Sequence, residues 1–176
     1  MNAINLALLI IRLNLGAVML AHGINHIFGG GKIAGTGRWF ASLGMKPGPL
    51  HAWLASLVEV GSGAMLVLGL FNPLAASGVI GVMVVAWIIN HRGNGFFIFR
   101  PGEGWEYVMT LTLVALALTA LGPGKWSLDH ALDIDSWSGT SGLVTGLLAG
   151  VGGGLLLLVV FWRPAPKAPA EPAAKS

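Results

Sequence analysis

The sequence predicts an all-α membrane bundle, and two observations carry that prediction. Of its 176 residues 55% are hydrophobic and only 10% are charged, with a mean hydropathy of +0.76. A chain of that composition is too apolar for an ordinary soluble domain, so lipid is its solvent. The apolar residues also fall into five separate runs, at residues 4–28, 50–70, 73–91, 105–121 and 141–162. A membrane-spanning helix needs about 20 residues, a length the runs match or approach.

The first run is not a secretion signal. It lacks a basic leading segment, exceeds the usual apolar core of such a signal, and contains Arg12. Between the first two spans, Arg38, Trp39, Phe40, Leu43 and Met45 predict a short interfacial helix that Pro47 and Pro49 stop. The second span leads through Phe71, Asn72 and Pro73, a tight corner, into the third. The next connection, from Asn90 to Gly104, carries Phe96, Phe97, Ile98 and Phe99, which suit the headgroup region. The fourth span is the shortest. An acidic connection with Asp129, Asp133 and Asp135 precedes the fifth, and the Pro/Ala/Lys-rich residues from 164 onward predict a disordered tail.

With five spans the basic residues divide unevenly. Lys32, Arg38, Lys46, Arg92, Arg100, Arg163, Lys167 and Lys175 fall on one side and Lys125 alone on the other. The positive-inside rule then predicts an N-terminus outside and a C-terminus in the cytoplasm. The formal charge of +3 does not indicate nucleic acid, because these bases are scattered over loops rather than gathered on one face. The chain has no cysteine, so it holds no disulfide, thiolate-bound cluster or thiol relay of its own.

Two opposite charges stand inside apolar runs: Arg12 in the first and Glu59 in the second. An ionised side chain at the bilayer centre costs on the order of 3 kcal/mol, so such groups face inward, pair and carry function. At ~1.5 Å per residue Arg12 lies roughly 12 Å and Glu59 roughly 16 Å from the same side, which lets them pair. That pair is either a structural clasp between two helices or part of a proton or ligand site. Toward the cytoplasmic end His22, Asn25, His26, Asn90, His91, Glu106 and Tyr107 reach similar depth. Histidine changes charge near physiological pH and tyrosine can pass a proton, so the set can hold a quinone carbonyl or relay protons. The plainer alternative is that these are helix-end residues reaching headgroups and water.

No metal site is expected. His22 and His26 stand four residues apart but lack the glutamate of a zinc protease helix, and nothing establishes two histidines facing each other across a haem. Gly29, Gly30, Gly31 and Lys32 imitate a phosphate loop without its Ser/Thr or preceding strand. Gly142, Gly146, Gly150 and Gly154 recur every four residues, a smooth stripe for another helix of this bundle, of a second copy or of another protein.

Several segments taken together are similar to a known family. Arg12 with Ala21, His22 and Gly23, then Val58, Glu59, Val60 and Gly61, then Leu68, Gly69 and Leu70, and then His91 with Gly95, Phe96 and Phe97 occur in order. Trp105, Glu106 and Tyr107 follow, and the run from Gly122 through Pro123, Gly124, Lys125, Trp126, Ser127 and Leu128 to Asp129 completes the likeness. Over about residues 5–130 the chain resembles the DoxX family of integral membrane proteins. The resemblance implies a four-helix membrane domain over 1–130, to which this chain adds an acidic linker over 131–140, a glycine-rich fifth helix over 141–163 and the tail over 164–176. It also implies a place in the cell membrane of a bacterium and work in complexes. Relatives are described as subunits of thiosulfate:quinone oxidoreductase and as a membrane partner of superoxide dismutase and a sulfurtransferase.

Three readings of function follow. In the first, Arg12, Glu59, His22, His91, Glu106 and Tyr107 line a quinone or proton site in a membrane subunit, uncatalytic alone, of a redox or oxidative-stress complex. In the second the bundle is a scaffold that recruits redox partners, or a second copy, through its basic loops and glycine stripe. The third is a small proton-coupled carrier, although no internal repeat supports it.

Overall fold

The computed structural model of the chain describes residues 3–164, and apart from Pro164 the expected tail lies outside them. Helix α1 runs over Ala3–Phe28 and is followed by the expected interfacial helix, α2, at Lys32–Ser42. Pro47 and Pro49 do not end α2. It stops at Ser42, the chain turns at Gly44 with φ 92°, and Pro49 instead occupies the first turn of α3, Gly48–Leu68. A proline is tolerated there because the first N–H groups of a helix have no partner inside it. Gly69, left-handed at φ 67°, closes α3, and α4 follows over Asn72–His91, again with a proline in its first turn. Its last turn, Trp87–His91, widens to π geometry.

Helix α5, Glu106–Leu121, has 16 residues. At ~1.5 Å per residue this falls short of the ~30 Å hydrocarbon thickness. Four other helices are long and apolar enough to cross: α1, α3, α4 and the last helix, α7, over Gly139–Phe161. A single turn, α6, Leu128–Ala131, interrupts the connection before α7. No strand occurs among the described residues.

Small residues set the packing. Lipid gives no hydrophobic drive between helices, so close van der Waals approach has to hold them. Helices α1 and α3 meet at Gly16 and Gly63, where a Cβ added to either would lie 2.9 Å from the other's carbonyl oxygen. Helices α3 and α4 meet where Gly78 faces Ser62. Helix α4 is the hub, touching α3, α5 and α7, and is the most buried of the spanning helices. The glycine stripe of α7 is spent inside this bundle: Gly142 and Gly146 face Thr119 of α5, Gly150 faces Ser77 and Ile80, and Gly154 faces Gly81 of α4. The far end of α7 is tied down as well. Trp162 Nε1 donates to Leu43 O at 2.9 Å, and the Arg163 N–H donates to Gly44 O at 2.8 Å.

Candidate functional site

The helices leave a cavity of about 600 Å³ between α3 and α4, closed in by α1, α2, α5 and α7. Most of its wall is apolar, with Val58, Met65, Val82, Val85 and Leu157 among the contributors. Its polar groups come from few places: His22 and His26 of α1, His51, Glu59 and Ser62 of α3, Ser77, Asn90 and His91 of α4, Glu103 of the following loop, and Tyr107 of α5. Exposed Leu54, Leu57 and Leu74 also border it, placing part of the rim on the lipid-facing side of the bundle.

Glu59 is the charged centre of this wall. Only 4% of it is exposed, and its Oε2 lies 2.9 Å from His26 Nδ1. The ring does not align to make that contact a regular hydrogen bond, and neither atom has another hydrogen-bond partner. It is a charge contact between a buried carboxylate and an imidazole, with lone-pair capacity left over. Helix geometry brings the two together. At Gly23, one turn before His26, a Cβ would sit 3.0 Å from both Glu59 Cβ and Ser56 O, so glycine lets α1 lie directly on α3 there. His22 extends the pair, its ring edge-on to His26 with centroids 6.5 Å apart.

The end of α4 supplies a second polar edge. His91 Nδ1 lies 3.0 Å from Glu103 O and Nε2 lies 3.3 Å from the Asn90 amide nitrogen. A carbonyl can only accept, so Nδ1 carries the proton and Nε2 accepts from Asn90. Asn94 donates to Gly102 O and Glu103 O and pins the loop beneath. Tyr107 reaches the cavity. Glu106 and Asn25 do not line it: Glu106 Oε2 accepts from the Ile98 N–H at 3.1 Å and holds the aromatic loop, while Asn25 lies against Gly29.

Arg12 is in a different place altogether, and the expected Arg12–Glu59 pair does not form. Its guanidinium is fully buried and donates to Leu66 O and Trp126 O, with Asp129 as the opposite charge acting on it. Counting depth from Ile4 and from Leu70 takes the start of α1 as level with the end of α3, and the two are staggered, with Arg12 itself beside Gly69. The turns of α1 before Arg12 run past the Gly69 turn and are covered by the segment after α5, where the Lys125 N–H donates to Asn5 Oδ1 at 3.0 Å. Asp129 in turn accepts from the N–H groups of Phe71 at 2.7 Å and Asn72 at 2.8 Å, and its own N–H donates to Gly69 O. Phe71 has a left-handed φ of 47°, a conformation that costs a bulky residue on the order of 1 kcal/mol and persists only when held. Arg12 and Asp129 form a structural clasp on the α3–α4 turn.

Ser62, Ser77, Glu103 and above all His51 escaped the sequence reading. His51 is only 2% exposed, lines the cavity, and has no hydrogen-bond partner on either ring nitrogen. The available signal was its spacing: eight residues before Glu59, with Ala55 between, it falls on the same face of α3.

Comparison with known proteins decides the family. The DoxX family matches residues 7–92, the stretch that contains Arg12, His22, His26, His51, Glu59 and His91. The chain is a membrane protein whose residues 7–92 are a DoxX segment. Over 130 residues it is 29% identical to an uncharacterized membrane protein of Mycobacterium tuberculosis, an alignment covering 69% of this chain and 78% of that relative. No solved structure matches. Glu103, Tyr107, Asp129 and the whole of α7 lie beyond the matched stretch, so the family segment supplies the cavity wall from α1 to α4, and Glu103, Tyr107 and α7 add to it.

Proposed function

We propose that this protein is the membrane subunit of a quinone-linked redox complex and that the cavity between α3 and α4 receives the quinone. The observation that carries the reading is the His26–Glu59 contact at 2.9 Å, buried in the wall of a largely apolar cavity of about 600 Å³. A quinone is a flat polar head on an apolar tail, and ligand cavities of this size with a few convergent polar groups suit such molecules. Reduction of a quinone to a quinol takes up two electrons and two protons. The chain, which has no cysteine, takes its electrons in this reading from a partner protein, and His26 with Glu59 passes protons to the ring oxygen. His22, His91 and Tyr107 continue the polar edge. Arg12 takes no part, being committed to the Leu66 and Trp126 carbonyls.

The bundle sits in this reading in a bacterial plasma membrane with α5 as a short fifth crossing, Ala3 outside and Arg163 in the cytoplasm, as the loop charges favour. A scaffold that recruits another helix through the glycine stripe is less well supported, because the stripe already faces α4 and α5.

Trp39 lines the cavity and gives a local probe. For the protein purified into nanodiscs, a short-chain benzoquinone should quench tryptophan fluorescence saturably, and Trp39→Phe should remove part of that quenching. Quenching that rises linearly with quinone and ignores Trp39→Phe would mean simple partitioning into lipid and would sink the reading.

A further inference from the structure

His51 is a polar group with nothing to do in the protein itself. Its imidazole is 98% buried, since 2% is exposed, and both nitrogens are without a hydrogen-bond partner. Phe40 and Phe161 flank the ring with centroids at 6.3 and 5.1 Å, and no ion pair among the described residues involves it. Burying an unsatisfied donor or acceptor costs about 1–3 kcal/mol, a cost that a ligand hydrogen bond would offset. Because its shell is aromatic and uncharged, the partner is a neutral polar atom rather than an anion. His51 also lines the same cavity as Glu59, eight residues away on the same face of α3.

Those eight residues span roughly 12 Å along the helix. A flat ring with two opposed oxygens and a hydrogen bond of about 2.8 Å at each end can bridge a separation of that order. We propose that His51 is the second anchor of the quinone head: the His26–Glu59 pair takes one ring carbonyl and the His51 N–H donates to the carbonyl on the opposite side. This rests on the quinone reading above and adds to it the recognition of a ring with two opposed oxygens. Phe40 borders the head, and the tail leaves along the apolar wall.

The test compares a short-chain benzoquinone with a phenol of the same chain, which has one oxygen, on nanodisc-embedded protein. Wild type should prefer the quinone, and His51→Phe should weaken quinone binding about tenfold, leave the phenol nearly unchanged and not lower the melting temperature of the ligand-free protein. His51→Gln, which keeps an N–H donor, should restore most of the affinity. Equal quinone affinity in wild type and His51→Phe overturns the second anchor and leaves the quinone reading standing, whereas no saturable quinone binding by wild type overturns both. Should His51→Phe fail to fold, imidazole ¹⁵N signals of wild-type His51 decide the matter. Movement on adding quinone supports the anchor, and signals that stay in place overturn it.

Discussion

Arg12→Met is expected to destabilise the bundle by about 1–3 kcal/mol for each of the two buried carbonyls that lose their donor. Methionine nearly fills the volume but leaves the Leu66 and Trp126 carbonyls without their donor and Asp129 without its opposite charge. The effect should propagate along a defined route. Asp129 holds the N–H groups of Phe71 and Asn72, and Phe71 is left-handed at φ 47°. Once that hold weakens, the α3–α4 turn relaxes first. SDS titration of the purified protein measures the loss, and Asp129→Asn should cost a comparable amount, with the double variant costing less than the sum because the two act on one turn. A loss below about 1 kcal/mol for Arg12→Met would place the clasp among the interactions that hold nothing essential.

Glu59→Gln is expected to leave the fold in place and lower quinone-dependent electron flow through the assembled complex by about 10²-fold or more, the usual contribution of a positioned acid or base. Glutamine keeps the shape of the side chain and gives up the exchangeable proton. Since Glu59 Oε2 has only the His26 ring as a neighbour at 2.9 Å, little else changes. His26→Gln should cause a similar drop, and the two together should be no worse than either alone, because groups that act as one unit are not additive. Unchanged respiration and oxidant tolerance with Glu59→Gln would remove the proton site, and a strictly additive double variant would separate the two residues.

Much of this arrangement was legible in the residues, for reasons that are physical. Apolar runs mark the four long helices and the shorter α5 because lipid demands them, and Pro73 marks the α3–α4 corner because proline suits the first turn of a helix. The polar residues near the ends of α1 and α4 were legible as a group. What escaped was relative placement. Depth counted from helix ends paired Arg12 with Glu59, and only the stagger of α1 against α3, set by Gly16, Gly63 and Gly23, shows that Glu59 meets His26 instead. Pro47 and Pro49 read as the stop of α2, yet Pro49 opens α3. The partner of the glycine stripe was equally open, since small residues show that a helix approaches and not which one. His51 was passed over because a single histidine in an apolar helix has no pattern of its own. Its meaning comes from two unsatisfied nitrogens, which only three-dimensional packing exposes.

The central claim is that a quinone head sits between α3 and α4 beside His26 and Glu59. A photoreactive short-chain quinone, irradiated with the nanodisc-embedded protein and mapped by mass spectrometry, tests it most directly. The account predicts label on cavity residues such as Val58, Ser62 and Val82, abolished by excess unlabelled quinone. Label confined to outward faces such as Leu148, Leu156 and Val159, and indifferent to competition, would contradict it.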